Sequence, residues 1–524
     1  MQNFILKSLF FKTGIYKKLY CFLFLNSLME WEMGSKKALA FLWGRRFSRL
    51  AGSLTLFVLQ DCAWNQKVDP KVHVYLDAPL TTPISTDGES GGPFCVGFWP
   101  TQSWWEVFDD PCLSKCIMTA LEQNPDLMVA KSRVEEAFQI ARREGGPRWV
   151  QAGIDGDINF AHLSKNGLYR TLNPSISPNA LQIDLNGILS YEVDIWGQYY
   201  ETWMSAFNKF QSAEAKKSFV EVDISTRVAE VYFVLQSLIA QIVELEKWIA
   251  SQKEIIRLSQ TLLKNKIIDQ IQMEIEYQAL EGLNKDLESL TTAKQIQSHL
   301  LAVLMGNGPD ALFPMSETFK EPLEKLEIPT NLALGLLKRR PDLAADILYL
   351  TSLERDIKIA RTLFYPNINI IGSGGIQNLK GGVFSPSSLQ GSFLPSFTLP
   401  IFTGFRLEGN LGAAIKAYEA GIHQYNANVL KASQQVKDAV SNIEGVVLNI
   451  GYQKNLLQEE MVKLDLMNLL FKNRIASKIR LDVEQNRVYE KWITLYNLYR
   501  QRYQYHIQLI RTLGGGYVQG GAIG

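Results

Sequence analysis

The side chains most able to do chemistry are dispersed along this chain. The five histidines, His73, His162, His299, His423 and His506, form no pair at helical spacing, so they read as surface or packing residues and not as metal ligands. GSGG at 372–375 and GGG at 514–516 lack the Lys-Ser/Thr and the strand-to-helix setting of a phosphate loop. Cys95, Cys112 and Cys116 have no zinc-type spacing, although in an exported protein two of them could pair. In RRPDL (339–343) the arginines suggest an anion site, but a proline just inside a helix start accounts for Pro341 more simply. The chain therefore offers no catalytic constellation, no metal site and no cofactor site, and it reads as a non-enzyme.

One cysteine is placed differently. After Met33 come five basic residues, Lys36, Lys37, Arg45, Arg46 and Arg49, then an apolar run from Leu50 to Leu59, then Cys62. That order is an export signal, and a lipoprotein signal ends at a cysteine that becomes acylated. Gln60 and Asp61 depart from the small residues that usually precede it; the competing reading is a short buried helix with an incidental cysteine. Residues 1–32 hold a second apolar, basic stretch, so the start of translation is open. No later window reaches the ~18 continuous apolar residues of a membrane helix. With 54 basic against 53 acidic residues and no basic stripe, nothing favours nucleic acid, and the 46% hydrophobic content is ample for a core.

The elements that position these residues come in two copies. LLKNKIIDQIQMEIE at 262–276 is echoed 208 positions on by LFKNRIASKIRLDVE at 470–484, and NPDL at 124–127 by RPDL at 340–343. Alternation of apolar and polar residues marks strands at about 151–162, 181–194, 367–377 and 391–402, the ~10-residue length of a membrane strand. Gly404 stands where Gly197 stood, after each strand pair. A helix is expected from about 104 to 144, and residues 199–264 contain neither proline nor glycine, giving a rod of about 100 Å that must pair with a neighbour. The echoed stretches then become the turns of two long helical hairpins, at about 265–269 and 473–477. The layout is an export signal at 1–61, an extended connector at 62–103, a first repeat at 104–306, a linker at 307–331, a second repeat at 332–513 and a flexible end at 514–524. Each repeat is helix, strand, strand, helix, helix. Four strands cannot close a barrel and open edges are not tolerated in lipid, so more than one chain must contribute.

These residues resemble the TolC-like outer-membrane factors of tripartite efflux systems, especially their lipoprotein branch. The resemblance runs over roughly 100–517 and rests on WWEVFDDP (104–111), ALEQNPDL (120–127), SYEVDIWGQ (190–198), LLKRRPDL (336–343), ARTLFYPNINI (360–370), PSFTLPIFTGFRLEGNL (395–411) and LGGGY (513–517). It implies a mainly α chain with a membrane β-barrel: a homotrimer whose twelve strands form one barrel, continued by a periplasmic α-helical tunnel. The implied partners are a periplasmic adaptor (membrane fusion protein), an inner-membrane transporter, outer-membrane lipid and small-molecule substrates, with no nucleic acid.

Two departures bear on site residues. Where the family usually has Gly-Val or Gly-Leu at each tip, this chain has Lys266-Ile267 and Arg474-Ile475, expected as adaptor-docking tips; a turn needing tight geometry would more naturally hold glycine. Where the family often carries a leucine and, four residues on, an aspartate that constrict the closed tunnel, this chain has Ile479 and Val483, flanked by Asp482 and Glu484. These four are the expected periplasmic gate. Other readings are a duct for type I protein secretion and, in a different class, a non-transporting coiled-coil scaffold with soluble hairpins.

Overall fold

The computed structural model describes residues 66–80, 92–316, 318–329, 332–378 and 385–518. Of the chain's two units, Met1–Lys67 has only its last two residues among these, so the export segment and Cys62 lie outside the described residues. Every element below belongs to the second unit, Val68–Gly524.

The first half opens with β1 (Phe94–Gly97), a 3-10 turn at Trp104–Phe108, α1 (Pro111–Gln123) and α2 (Pro125–Gly145). The single helix expected over 104–144 is thus broken. Asn124 accepts hydrogen bonds from the amides of Asp126 and Leu127 at 2.9 and 3.3 Å, and Pro125, with no N–H to lose, takes the first position of α2. Then follow β2 (Gln151–His162), the short α3 (Leu168–Leu172), β3 (Asn179–Val193), α4 (Gln198–Lys264) and α5 (Gln270–Leu304). The linker carries β4 (Leu326–Pro329), which pairs in parallel with β1. The second half is α6 (Leu332–Arg339), α7 (Pro341–Thr362), β5 (Asn367–Asn378), β6 (Leu389–Thr398), α8 (Arg406–Lys472) and α9 (Lys478–Thr512).

The duplication is strict in the hairpins. α4 and α8 have 67 residues each, α5 and α9 have 35 each, and all four boundaries are displaced by 208 positions. The residue that takes the place of Gly197 (φ 74) before the long helix is Phe405 (φ 65), with Gly404 (φ 61) preceding it. Each long helix runs about 100 Å and lies against several others: α4 packs on α2, α5, α7 and α9, and α8 on α7 and α9. An 18-residue window of α4 has a mean hydropathy of 1.5, yet 61% of it is buried within the protein, as expected of a core helix. Close approach of α7 needs Gly421 on α8, where a Cβ would come within 2.8 Å of Leu350 and 2.9 Å of Leu353.

Two cores draw on residues from the middle stretches of α4 and α8. One gathers Leu336, Leu343, Tyr425, Val429 and Val436 with Phe94 and Ile328 of the β1–β4 pair; the other gathers Leu113, Ile117, Leu127, Tyr232 and Leu301 with Trp104 and Phe108.

β2, β3, β5 and β6 form one antiparallel sheet in that order, and the β3–β5 pairing, which sets Gly187 opposite Gly374, joins the two halves. β6 ends at Thr398, short of the expected 402; Pro400 follows, and a proline has no N–H for the ladder. Neither face of the sheet is covered. Ile154, Phe160, Phe393 and Phe397 are all between 74% and 78% exposed. A soluble hairpin would bury that face, so the arrangement argues against the scaffold reading and for a sheet covered by lipid.

Candidate functional site at the hairpin tips and the sheet

The tips are built identically. α4 ends with the Ile267 amide donating to Leu262 O at 2.9 Å and the Lys266 amide to Leu263 O at 2.9 Å; in α8 Ile475 donates to Leu470 O and Arg474 to Phe471 O, both at 2.9 Å. This is the double closure that ends a helix in a left-handed residue, normally glycine. Lys266 (φ 57) and Arg474 (φ 59) occupy that position, two of four non-glycine residues with positive φ among the described residues. The next helices start at once: Asp269 accepts from the Gln272 amide at 2.8 Å and Ser477 from the Arg480 amide at 3.4 Å. Lys266 and Arg474 are exposed and make no ion pair, and Ile267 and Ile475 are 67% and 71% exposed. Both tips thus present one unpaired cation beside one bare isoleucine.

The four expected gate residues do not share one face. Asp482 is turned inward, 6% exposed, with Oδ1 accepting from Lys478 Nζ at 2.5 Å. Glu484 is half-buried; both its oxygens lie 3.1 Å from Arg487 Nη1, and Lys463 Nζ is 3.6 Å away. Ile479 is half-buried and Val483 exposed. Sequence reasoning missed Lys478, although its four-residue spacing from Asp482 was the available signal.

In the sheet, β2 and β3 place Asp155, Asp157, Asp184 and Asn186 on the face opposite Ile154, Ile158 and Leu185. The register sets Asp157 directly opposite Asp184, a like-charge pairing unfavourable for the sheet, and none of the four strands contains lysine or arginine. Only the strand register reveals that pairing.

The remaining candidates are accounted for structurally. The Arg340 guanidinium is 7% exposed and bonded to Asp342 at 2.7 and 3.0 Å and to Gln435 at 3.0 Å, and Pro341 opens α7. Cys95, Cys112 and Cys116 are free, and burial pushes the Cys116 thiol up to about 12. No group of three or more histidine, cysteine or carboxylate side chains suited to a metal occurs among the described residues.

The chain thus joins a four-stranded sheet of membrane-strand length to two helical hairpins whose longer arms run about 100 Å. The profile of the outer membrane efflux protein family matches residues 334–515. Multidrug resistance outer membrane protein MdtP of Escherichia coli K12 is 26% identical over 438 residues, 80% of this chain and 88% of the relative. Probable outer membrane lipoprotein SilC of Salmonella typhimurium is 24% identical over 489 residues, 90% and 99% of the two chains. The crystal structure of VceC from Vibrio cholerae shares the fold, with a TM-score of 0.70 at 24% identity over 80% of this chain and 100% of that one. The chain is thus similar in sequence to outer-membrane efflux proteins and shares the fold of solved outer-membrane channels.

Proposed function

We propose that three copies of the chain form the exit duct of a tripartite efflux system, which passively conducts small toxic compounds received from an inner-membrane transporter through a periplasmic adaptor. The observation that carries this is the sheet: four strands with both edges free and an apolar face bare, continuous with hairpins too long to stand alone. Three such sheets supply twelve strands, and the apolar face meets lipid while the aspartate-bearing face lines the lumen. Membrane fractionation followed by mass measurement in mild detergent tests it: an outer-membrane trimer is expected, and a soluble monomer would sink it.

The adaptor is proposed to dock on the six tips, with Lys266 and Arg474 guiding encounter and Ile267 and Ile475 supplying apolar contact. A basic residue held twice in glycine's geometry supports a role beyond making the turn. Ile479, Asp482, Val483 and Glu484 are proposed to form the resting constriction; the inward turn of Asp482 makes Val483 its most exposed member.

Acylation of Cys62 is proposed as a second membrane attachment. The strap that follows it lies along α8: the Asp69 amide donates to Glu419 Oε1 at 3.0 Å, and Asn426 accepts from the Tyr75 amide at 3.0 Å while donating to His73 O at 2.8 Å. Glu419 is about 20 Å along α8 from the sheet, and the seven residue steps from Cys62 to Asp69 span at most ~25 Å. Chain length alone therefore lets an acyl group on Cys62 reach the membrane.

A further inference from the structure

The cleft between α5 and α9, of about 420 Å³, has chemistry that a duct wall does not require. Its floor is opened by Ala279 and by Gly282, where an added Cβ would meet no atom within 4 Å. Trp248 of α4 forms an aromatic wall, and Asp286 and Glu490 bring carboxylates to it, with Lys285 3.8 Å from the first and Lys491 3.7 Å from the second. Asn486, 6% exposed, lines the cleft with an Oδ1 that has no hydrogen-bond donor. Arg487, the one cation lining the cleft, is held by Glu484.

The buried Asn486 Oδ1 calls for a donor from within the cleft, because a buried acceptor left unpaired is costly. No group of three or more metal-ligating side chains lies here among the described residues. A positively charged N–H donor satisfies Asn486 Oδ1 on the side of the cleft that carries Asp286 and Glu490, and a flat apolar body attached to it fits against the indole. We propose that this cleft binds small organic cations carrying a primary ammonium or guanidinium group on an aromatic frame, with the cationic nitrogen at Asn486 Oδ1 and the ring on Trp248. The proposal extends beyond the duct reading and needs no transport step.

The test is calorimetric titration of the purified full-length mature protein in detergent with phenethylamine, an ammonium ion at pH 7, and with phenethyl alcohol, its neutral counterpart. Saturable binding of the amine is expected, at least tenfold weaker for the alcohol. Asn486→Leu should weaken the amine tenfold or more, and Gly282→Leu, which fills the floor, should abolish binding; Ala279→Leu fills it from a neighbouring position should Gly282→Leu fail to assemble. Absence of saturable binding, equal binding of amine and alcohol, or unaltered binding to the filled variants overturns the proposal. Loss of the site with conductance intact would leave the duct reading standing.

Discussion

Lys266 and Arg474 hold a backbone conformation that costs a non-glycine residue about 1 kcal/mol or more, in both copies of a turn whose hydrogen bonds would be served better by glycine. Lys266→Gly with Arg474→Gly should therefore steady each tip by about 1 kcal/mol, seen as slower amide exchange at Ile267 and Ile475, while lowering drug resistance. Lys266→Glu with Arg474→Glu should abolish resistance and adaptor crosslinking without lowering trimer yield; unchanged crosslinking would reduce the tips to solvated surface. A second residue-scale prediction concerns pH. His506 packs on Phe108 at 5.1 Å, and burial, reinforced by the neighbouring Arg502 guanidinium, pushes its ring down to about 3. The unfolded chain takes up that proton near pH 6.5 and the native one does not, so stability should be flat above pH 6.5 and fall from there toward 3. Thermal melts from pH 7.5 to 4 should show that slope, and His506→Gln should flatten it.

At the scale of elements, the sheet and the start of α9 make separable predictions. If Ile154 faces lipid and Asp155 the lumen, Ile154→Arg should cost about 2–4 kcal/mol and deplete folded trimer on semi-native gels, whereas Asp155→Arg should assemble normally. Equal losses would refute the assignment of faces. Replacing Ile479 and Asp482 by alanine should leave assembly intact and raise passive conductance in planar bilayers, the second change also freeing Lys478. Conductance equal to that of the unmodified channel would remove these residues from the gate. Element boundaries follow from local chemistry wherever a strong signal exists: the alternation of β2 and the absence of breakers through α4 were both readable. The break at Asn124 was harder to read, because NPDL lies within a continuous apolar pattern and only its capping geometry distinguishes a new helix from an old one.

At the scale of the molecule, the sheet's two edge strands pair with no further strand among the described residues, which is why the proposed duct takes further copies to close it. Cys62→Ala should lose acylation yet keep the trimer, since barrel insertion outweighs one lipid anchor; intact mass and detergent sizing distinguish the two effects. A mature protein that begins far from Cys62 and carries no acyl group would end the lipoprotein reading. The duplication, the hairpins with their common 208-residue displacement and the alternation of the strands are legible along the chain, because each is a local periodicity that the backbone converts directly into a helix or a strand. Packing in three dimensions sets which strands cross between halves, that Asp157 faces Asp184, that Asp482 turns inward onto Lys478 and that Asn486 Oδ1 has no donor among the described residues. Those are matters of register and rotation between elements far apart in the chain, where one residue of slip turns a side chain to the opposite face and no local pattern records the choice.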